Sequence, residues 1–368
     1  MNKNLVIGIF FALVAAAPQL LFSRTVPQKV AKGNEAWRYM ILAQKSFDDG
    51  DYGSAFSYAE KGKNLKKADC DWQVYQLESL MKKSSIRAIG NDLNLLVREL
   101  KENNLSEALN IIQTHLDKKG TPYFKNDYSK LFDYVSNYYE YPEADFLIAK
   151  IYELEGENEI ALDYLGRAYS NSEYLDVAEQ KYDILNELAK ISFNTQNYDN
   201  YEKYLLLSAS DNKFFSDNAF LSAITNLISD NDGAVEKFFL LYRCTDFTGF
   251  SALIKLADYY KTFGRSEKAL KCSALASIIA VSRIDGVLSE RLTDYEYKNF
   301  SNLLTHSAKY SDIVKWGNEN DVWKLFYEFA DICALNGKFL FARTLYSVLS
   351  EYEPEEYWKN MSSRKLIK

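Results

Sequence analysis

The chain has 368 residues, 47% of them hydrophobic and 15% aromatic, with 44 Lys and Arg against 51 Asp and Glu and a net charge of −7. The hydrophobic content excludes an intrinsically disordered chain, and the acidic balance argues against broad nucleic-acid binding, which needs a cationic surface against phosphates. Only 2 histidines are present, which leaves little material for a His-rich metal site or a histidine relay.

The N-terminal segment, residues 1–23, is strongly apolar. Residues 5–17 form a continuous apolar run, and no charged residue lies between Lys3 and Arg24. A short basic head before such a run is typical of a secretory signal peptide, while the length of the whole segment is close to that of a membrane-spanning helix. We therefore expect a signal peptide or an uncleaved membrane anchor over 1–23, followed by a polar linker over 24–34.

The remainder of the chain has the pattern of helices. Only Pro122, Pro142 and Pro354 lie beyond residue 33, and apolar residues recur at intervals of three and four, as amphipathic helices require. No sustained alternation of the kind that a half-buried strand needs is found. The sequence predicts an all-α body over 35–360 and a basic tail over 361–368.

One spacing recurs along this body: a small residue, a glycine seven positions later and an alanine twelve positions later. Weaker copies begin at Leu96 and at Ala189, the latter with Gln196 in place of the glycine. The four strict copies are Ala43, Gly50 and Ala55; Ala149, Gly156 and Ala161; Ala257, Gly264 and Ala269; and Ala330, Gly337 and Ala342.

The spacing has a physical reason. Two antiparallel helices that pack closely need a small side chain on each facing surface, and a glycine between them adopts positive φ and ends the first helix. The residue nine positions after the first alanine is an aromatic in several copies, such as Tyr52, Tyr198 and Phe339. We expect this aromatic to close the open end of the hairpin, and we expect neighbouring hairpins to stack.

These repeats resemble the tetratricopeptide repeat family, most clearly in IYELEGENEIALDYLGRA (151–168) and YYKTFGRSEKALKCSALA (259–276). The resemblance covers about half of the chain, and the copies are not 34 residues apart as a regular array would have them. It implies a solenoid of antiparallel hairpins whose first helices line a partner groove. The candidate groove residues are Phe47, Phe146, Lys150, Lys190, Phe193, Asp258 and Tyr327.

Aromatic residues are abundant enough to suggest a contact surface in addition to a core. The adjacent pairs Phe214–Phe215 and Phe238–Phe239 cannot both point in the same direction on a helix. We expect one member of each pair to face away from its helix core.

No arrangement typical of a catalytic or cofactor site is found. His115 and His306 are isolated, no phosphate-binding glycine loop is present, and the four cysteines lack the spacing of a metal site. Those cysteines are either buried free thiols or include at least one disulfide. The sequence therefore predicts a protein that is not an enzyme and that holds no cofactor and no metal.

The leader and the repeats together favour an exported protein-interaction scaffold or adaptor in a bacterial envelope assembly. We expect it in the periplasm or anchored at the inner membrane with its body outside the cytoplasm. Its partners would be other proteins of the cell envelope, with no nucleic acid, and it would contact the membrane only through the N-terminal segment if that is uncleaved. The alternative is a carrier of a small ligand or transporter substrate with an internal pocket.

Overall fold

The computed structural model describes residues 26–83, 139–228 and 234–367. Every regular element within these ranges is helical, so the predicted all-α class is confirmed. The α-helices are α1 Ala36–Asp48, α2 Tyr52–Lys83, α3 Pro142–Leu154, α4 Asn158–Ser170, α5 Gln180–Asn194, α6 Tyr198–Ser210, α7 Asn218–Leu227, α8 Ala234–Leu241, α9 Phe250–Thr262, α10 Ser266–Arg291, α11 Phe300–Ser307, α12 Ser311–Glu319, α13 Val322–Leu335, α14 Phe339–Tyr352 and α15 Glu356–Ile367.

The chain divides into two compact units, residues 1–144 and 145–368. This division lies inside the single repeat domain that we predicted over 35–360. The predicted leader, 1–23, and His115 lie outside the described residues, as does the weaker repeat that begins at Leu96. Each unit is described by itself below.

The described part of the first unit is dominated by the α1–α2 hairpin. Ala43 of α1 and Ala55 and Ala59 of α2 are fully buried, because small side chains let the two helix axes approach closely. Gly62 of α2 serves the same end, since a Cβ there would lie 3.4 Å from the carbonyl oxygen of Ala36.

Five helix-to-helix turns among the described residues have the same backbone hydrogen bonds. In each, one main-chain N–H reaches back five residues, as Arg265 does to Tyr260 (2.8 Å), and the N–H before it reaches back three, as Gly264 does to Lys261 (3.2 Å). This pair of bonds is the Schellman motif, which ends a helix on a residue with positive φ. The turns join α1 to α2, α3 to α4, α5 to α6, α9 to α10 and α13 to α14.

The residue at the turning position has positive φ in all five of these turns. Four of them have glycine, with φ between 71° and 84°: Gly50, Gly156, Gly264 and Gly337. In the fifth turn Gln196 takes the position with φ 58°. The eight alanines of the four strict repeats are at most 3% exposed.

Helix α10 is the central element of the second unit. Most of its length is buried, with Ala269, Cys272, Ala276 and Ala280 among its small core residues. By length and composition it is the one helix in the described ranges that is able to cross a membrane, and 72% of its apolar window is buried inside the protein. A core helix passes that test as readily as a membrane helix does.

The pair Phe238–Phe239 on α8 differs from its prediction, because both side chains are fully buried. Phe238 packs against Phe329 of α13 and Phe341 of α14, with ring centroids 5.5 and 5.7 Å away. Phe239 stacks on Phe300 of α11 at 4.3 Å. Helix α8 is thus covered on two sides, and neither phenylalanine faces solvent.

The predicted basic tail, 361–368, is a helix up to residue 367 and belongs to the fold. It continues α15, whose Ser362 is fully buried and whose Met361 and Leu366 pack against the core of the second unit. Arg364 and Lys365 lie in the last turn of this helix, where their positive charge complements the partial negative charge of the helix end.

Candidate partner-binding surface

Polar side chains connect the first helices of successive hairpins in the second unit. Lys190 of α5 pairs with Glu153 of α3 at 2.8 Å, and the ammonium of Lys255 on α9 donates to Asn186 of α5 at 3.2 Å. The bonds of Lys190 and Lys255 hold α3, α5 and α9 side by side, so that one polar surface runs across the three helices. Lys261 of α9 makes further links, to α13.

The series continues into the C-terminal helices through Lys261 and Asp331. Lys261 pairs with Glu328 of α13 and approaches Asp331 at 3.4 Å, while Lys365 of α15 and the hydroxyl of Tyr346 both donate to Asp331. Burial opposes ionisation of Asp331, but the hydrogen bonds from Lys365 and Tyr346 outweigh it and hold the pKa of this carboxyl below its ordinary value. Asp331 is therefore ionised at neutral pH, and its charge is paired within the chain.

The prediction that the candidate groove residues lie at the surface is wrong for Phe146 and Tyr327, which are both buried. Phe146 is 9% exposed and lies in the core between α3 and its neighbours. Tyr327 is 4% exposed, because α15 places the ring of Trp358 at 5.3 Å and α14 places Tyr346 at 5.8 Å from it. A partner has no access to either side chain.

The remaining candidates differ in accessibility. Lys190 and Asp258 are exposed, and Lys150 is half-buried with its ammonium 5.7 Å from the ring of Phe146. Phe47, in the first unit, is half-buried against Tyr52, with ring centroids 5.4 Å apart. Phe193 is 48% exposed. The second unit thus brings Lys150, Lys190, Phe193 and Asp258 onto the helices that carry the polar links.

An exposed apolar strip, which we call the turn ridge, lies along the ends of three hairpins. It consists of Phe193, Phe263, Leu335, Phe339 and Leu340, which are all 46–71% exposed. Monomeric proteins expose single apolar side chains freely, whereas a contiguous apolar patch of several hundred Å² is typical of an interaction surface.

Direct contacts show that the three turns of the ridge adjoin one another. The ring of Phe193 lies 5.8 Å from that of Tyr198, which in turn lies 5.2 Å from Phe263 in the next turn. The side-chain amide of Asn336 donates to the carbonyl oxygen of Ser266 at 2.9 Å, which fastens the α13–α14 turn to the α9–α10 turn.

Sequence reasoning identified only Phe193 of the turn ridge as a surface residue. Phe339 was predicted to close its hairpin, but it is 71% exposed, so that expectation is wrong for this copy. The available signal was position. Phe263 directly follows α9 and Leu335 ends α13, each within two residues of the turn glycine, and both side chains are exposed there.

The described ranges give little support for a metal site, a disulfide or a reactive thiol. No group of three or more His, Cys, Asp or Glu able to hold a metal ion occurs within them. Cys70, Cys244, Cys272 and Cys333 are all buried, and none of the four is in a disulfide. Burial raises the pKa of the Cys70 and Cys272 thiols to about 12, which keeps them protonated and unreactive.

A small pocket lies beside α10 and α12. It has a volume of about 200 Å³ and is lined by Arg283, Ile284, Val287, Asp312, Ile313 and Trp316. Sites for small molecules usually have volumes of about 300–1,000 Å³. This pocket is therefore small for a metabolite or transporter substrate.

Comparison with known proteins gives similarity but no function. No family model matches the chain. A protein of Treponema pallidum (strain Nichols), described only as an uncharacterized protein, is 28% identical over 339 residues, which cover 91% of this chain and 90% of that protein. The similarity thus extends over nearly the whole of both chains.

Proposed function

We propose that this chain is a non-catalytic, tetratricopeptide-like solenoid that serves as a scaffold or adaptor for other proteins in a bacterial envelope assembly. In this proposal the apolar leader exports the body or anchors it at the inner membrane. The five matching hairpin turns support the repeat architecture, because stacked hairpins of this kind bury one surface and leave another for a partner.

The turn ridge is the observation that carries the proposal. Its five side chains are large, apolar and exposed, and apolar and aromatic side chains of this type anchor protein interfaces. The polar surface along α3, α5, α9 and α13 is a weaker candidate, since many of its charges already pair with one another. We therefore assign the partner's main apolar contact to the ridge.

The test is site-specific cross-linking from the ridge. A photo-activatable amino acid at Leu335, in the chain expressed in its native cells, is expected to form a defined adduct with an envelope protein. The double variant Phe339→Ser/Leu340→Ser should lower the adduct yield at least several-fold, because it removes apolar contact area without changing any buried side chain.

The matched control is Leu241→Ser on α8, where a leucine is 64% exposed and is not part of the ridge. This variant should leave the adduct yield unchanged. An adduct that survives Phe339→Ser/Leu340→Ser, or no adduct at any ridge position, would contradict the proposed role of the ridge.

The alternative, a carrier of a small ligand, depends on an internal cavity. The pocket beside α10 and α12 is the site to examine, and its volume of about 200 Å³ admits only a small molecule. The scaffold proposal is preferred because the turn ridge has five large, exposed apolar side chains.

A further inference from the structure

Helix α1 has an outer face with apolar side chains at its centre. Trp37, Ile41 and Leu42 are 51%, 60% and 41% exposed, and the spacing 37–41 places Trp37 and Ile41 one above the other on the same side of the helix. The opposite side packs on α2 through the buried Ala43. The outer face therefore has apolar area that no described residue covers.

Basic side chains lie on α1 and just before it. Lys29, Lys32, Arg38 and Lys45 are all exposed, and the guanidinium of Arg38, which pairs with Glu35 at 2.7 Å, lies 4.9 Å from the ring of Trp37. Residues 26–47, which include most of α1 and the segment before it, carry four Lys or Arg against one Asp or Glu in a chain whose net charge is −7. This segment is thus cationic, whereas residues 26–83 as a whole carry ten Lys or Arg against eight Asp or Glu.

The charges of α1 and the segment before it are also separated along the chain. Asp48, Asp49 and Asp51 lie at the Gly50 turn, whereas Lys29 and Lys32 lie before α1 begins, where the charge of Lys29 also acts on Asp69 of α2. The uncharged apolar stretch 5–22 precedes these two lysines, separated from α1 by 13 residues. The cationic segment 26–47 is therefore the part of the hairpin that follows the most apolar part of the chain.

We propose that the outer face of α1 binds the surface of an anionic lipid bilayer. Tryptophan prefers the headgroup region, Ile41 and Leu42 would enter the acyl boundary, and Lys29, Lys32, Arg38 and Lys45 would contact anionic headgroups. The acidic turn at Gly50 points to the opposite end of the helix and would stay in water. This proposal does not depend on the scaffold function.

A fluorophore on α1 tests the contact directly. Ile41→Cys can be labelled selectively with a polarity-sensitive NBD group, because the four native cysteines are buried. The labelled full-length chain is reconstituted into vesicles of phosphatidylcholine alone or of phosphatidylcholine with phosphatidylglycerol. We expect a blue shift and a several-fold rise in emission only in the vesicles that contain phosphatidylglycerol.

Two matched controls isolate the contact. Leu241→Cys, labelled in the same way, replaces a leucine of similar exposure (64% against 60% for Ile41) and should show no shift. In the Ile41→Cys background, Lys29→Gln/Lys32→Gln should weaken the contact about five-fold for each charge removed, whereas Lys271→Gln/Lys309→Gln should not. Raising the salt concentration should reverse the shift.

Three results would overturn the proposal. An equal shift in phosphatidylcholine alone would show that anionic lipid is not recognised. A shift in the absence of both vesicles and detergent would assign the face to another protein surface or to a second copy of the chain. The absence of any shift at position 41 would show that α1 does not reach the bilayer.

Discussion

The indole ring of Trp323, on α13, occupies the space that a side chain at Gly317, on α12, would need. A Cβ at Gly317 would lie well under 3.0 Å from Cε2, Cζ2 and Nε1 of this ring. Trp323 is 1% exposed, and its Nε1 donates to the carbonyl oxygen of Val314 at 3.2 Å. The ring is therefore fixed by packing and by a hydrogen bond, and it cannot move aside at low cost.

We expect Gly317→Ala to lower the free energy of unfolding by about 1–3 kcal/mol, because overpacking displaces a fixed side chain. The gain in helix propensity offsets about 1 kcal/mol at most. Gly286→Ala on α10 is the control, since no atom lies within 4 Å of its added Cβ, and it should stabilise. Urea denaturation measures both, and equal effects at the two glycines would contradict the role of Trp323.

Replacement of Gln196 by glycine is predicted to stabilise the α5–α6 turn. The left-handed conformation costs a residue with a Cβ about 1–2 kcal/mol, and the greater freedom of glycine in the unfolded chain returns part of that. We expect Gln196→Gly to raise the free energy of unfolding by about 0.5–1 kcal/mol. Gly264→Gln, at the equivalent turn, should lower it by a similar amount. Changes of the same sign at both positions would argue against equivalent turns.

Glu353 should make the protein more stable at acidic pH than at neutral pH. It is 4% exposed, neither carboxyl oxygen has a hydrogen-bond partner of good geometry, and burial raises its pKa well above the ordinary value. A carboxyl with a raised folded-state pKa holds its proton more tightly in the folded state than in the unfolded state. As pH rises above the unfolded-state pKa of about 4.3, the unfolded chain loses this proton first, and the free energy of unfolding falls.

Glu353→Gln should therefore stabilise the protein at neutral pH and have little effect near pH 4. Thermal melts of both proteins from acidic to neutral pH measure the difference. A variant that is equally or less stable than the wild type at neutral pH would show that Glu353 is not a buried, neutral acid.

Asp331 should show the opposite pH dependence. Because the folded-state pKa of Asp331 is lowered, its contribution is present above the unfolded-state pKa of about 3.9 and is lost as pH falls through the folded-state value. Asp331→Asn should destabilise the protein by about 1–3 kcal/mol at neutral pH, since Lys365 and Tyr346 lose a charged acceptor. The difference from wild type should shrink in acid, and a constant difference would contradict this account.

The hairpin turns could be predicted from the sequence because their determinants are local. A glycine and two alanines at fixed spacing decide where one helix ends and the next packs, as at Gly264. Even the copy without glycine forms the same turn at Gln196. The burial of Tyr327 could not be predicted in this way, since it depends on Trp358, which is 31 residues away on α15.

The errors at Tyr327 and at the C-terminus both concern α15. Its first turn carries Trp358, which covers Tyr327, and its last turns are the residues that were predicted to be a basic tail. The turn ridge could not be predicted because the exposure of Phe263 and Phe339 depends on which helices cover the ends of their hairpins, and no described helix covers these ends.

The state of the four cysteines has a consequence for the compartment in which the protein functions. Thiol–disulfide exchange requires an accessible thiolate, and Cys70, Cys244, Cys272 and Cys333 offer none, since all are buried and burial raises each thiol pKa. Oxidant and reductant would leave the fold equally intact. The same structure is thus suited to either side of a membrane, and cysteine chemistry does not restrict the compartment in which the protein functions.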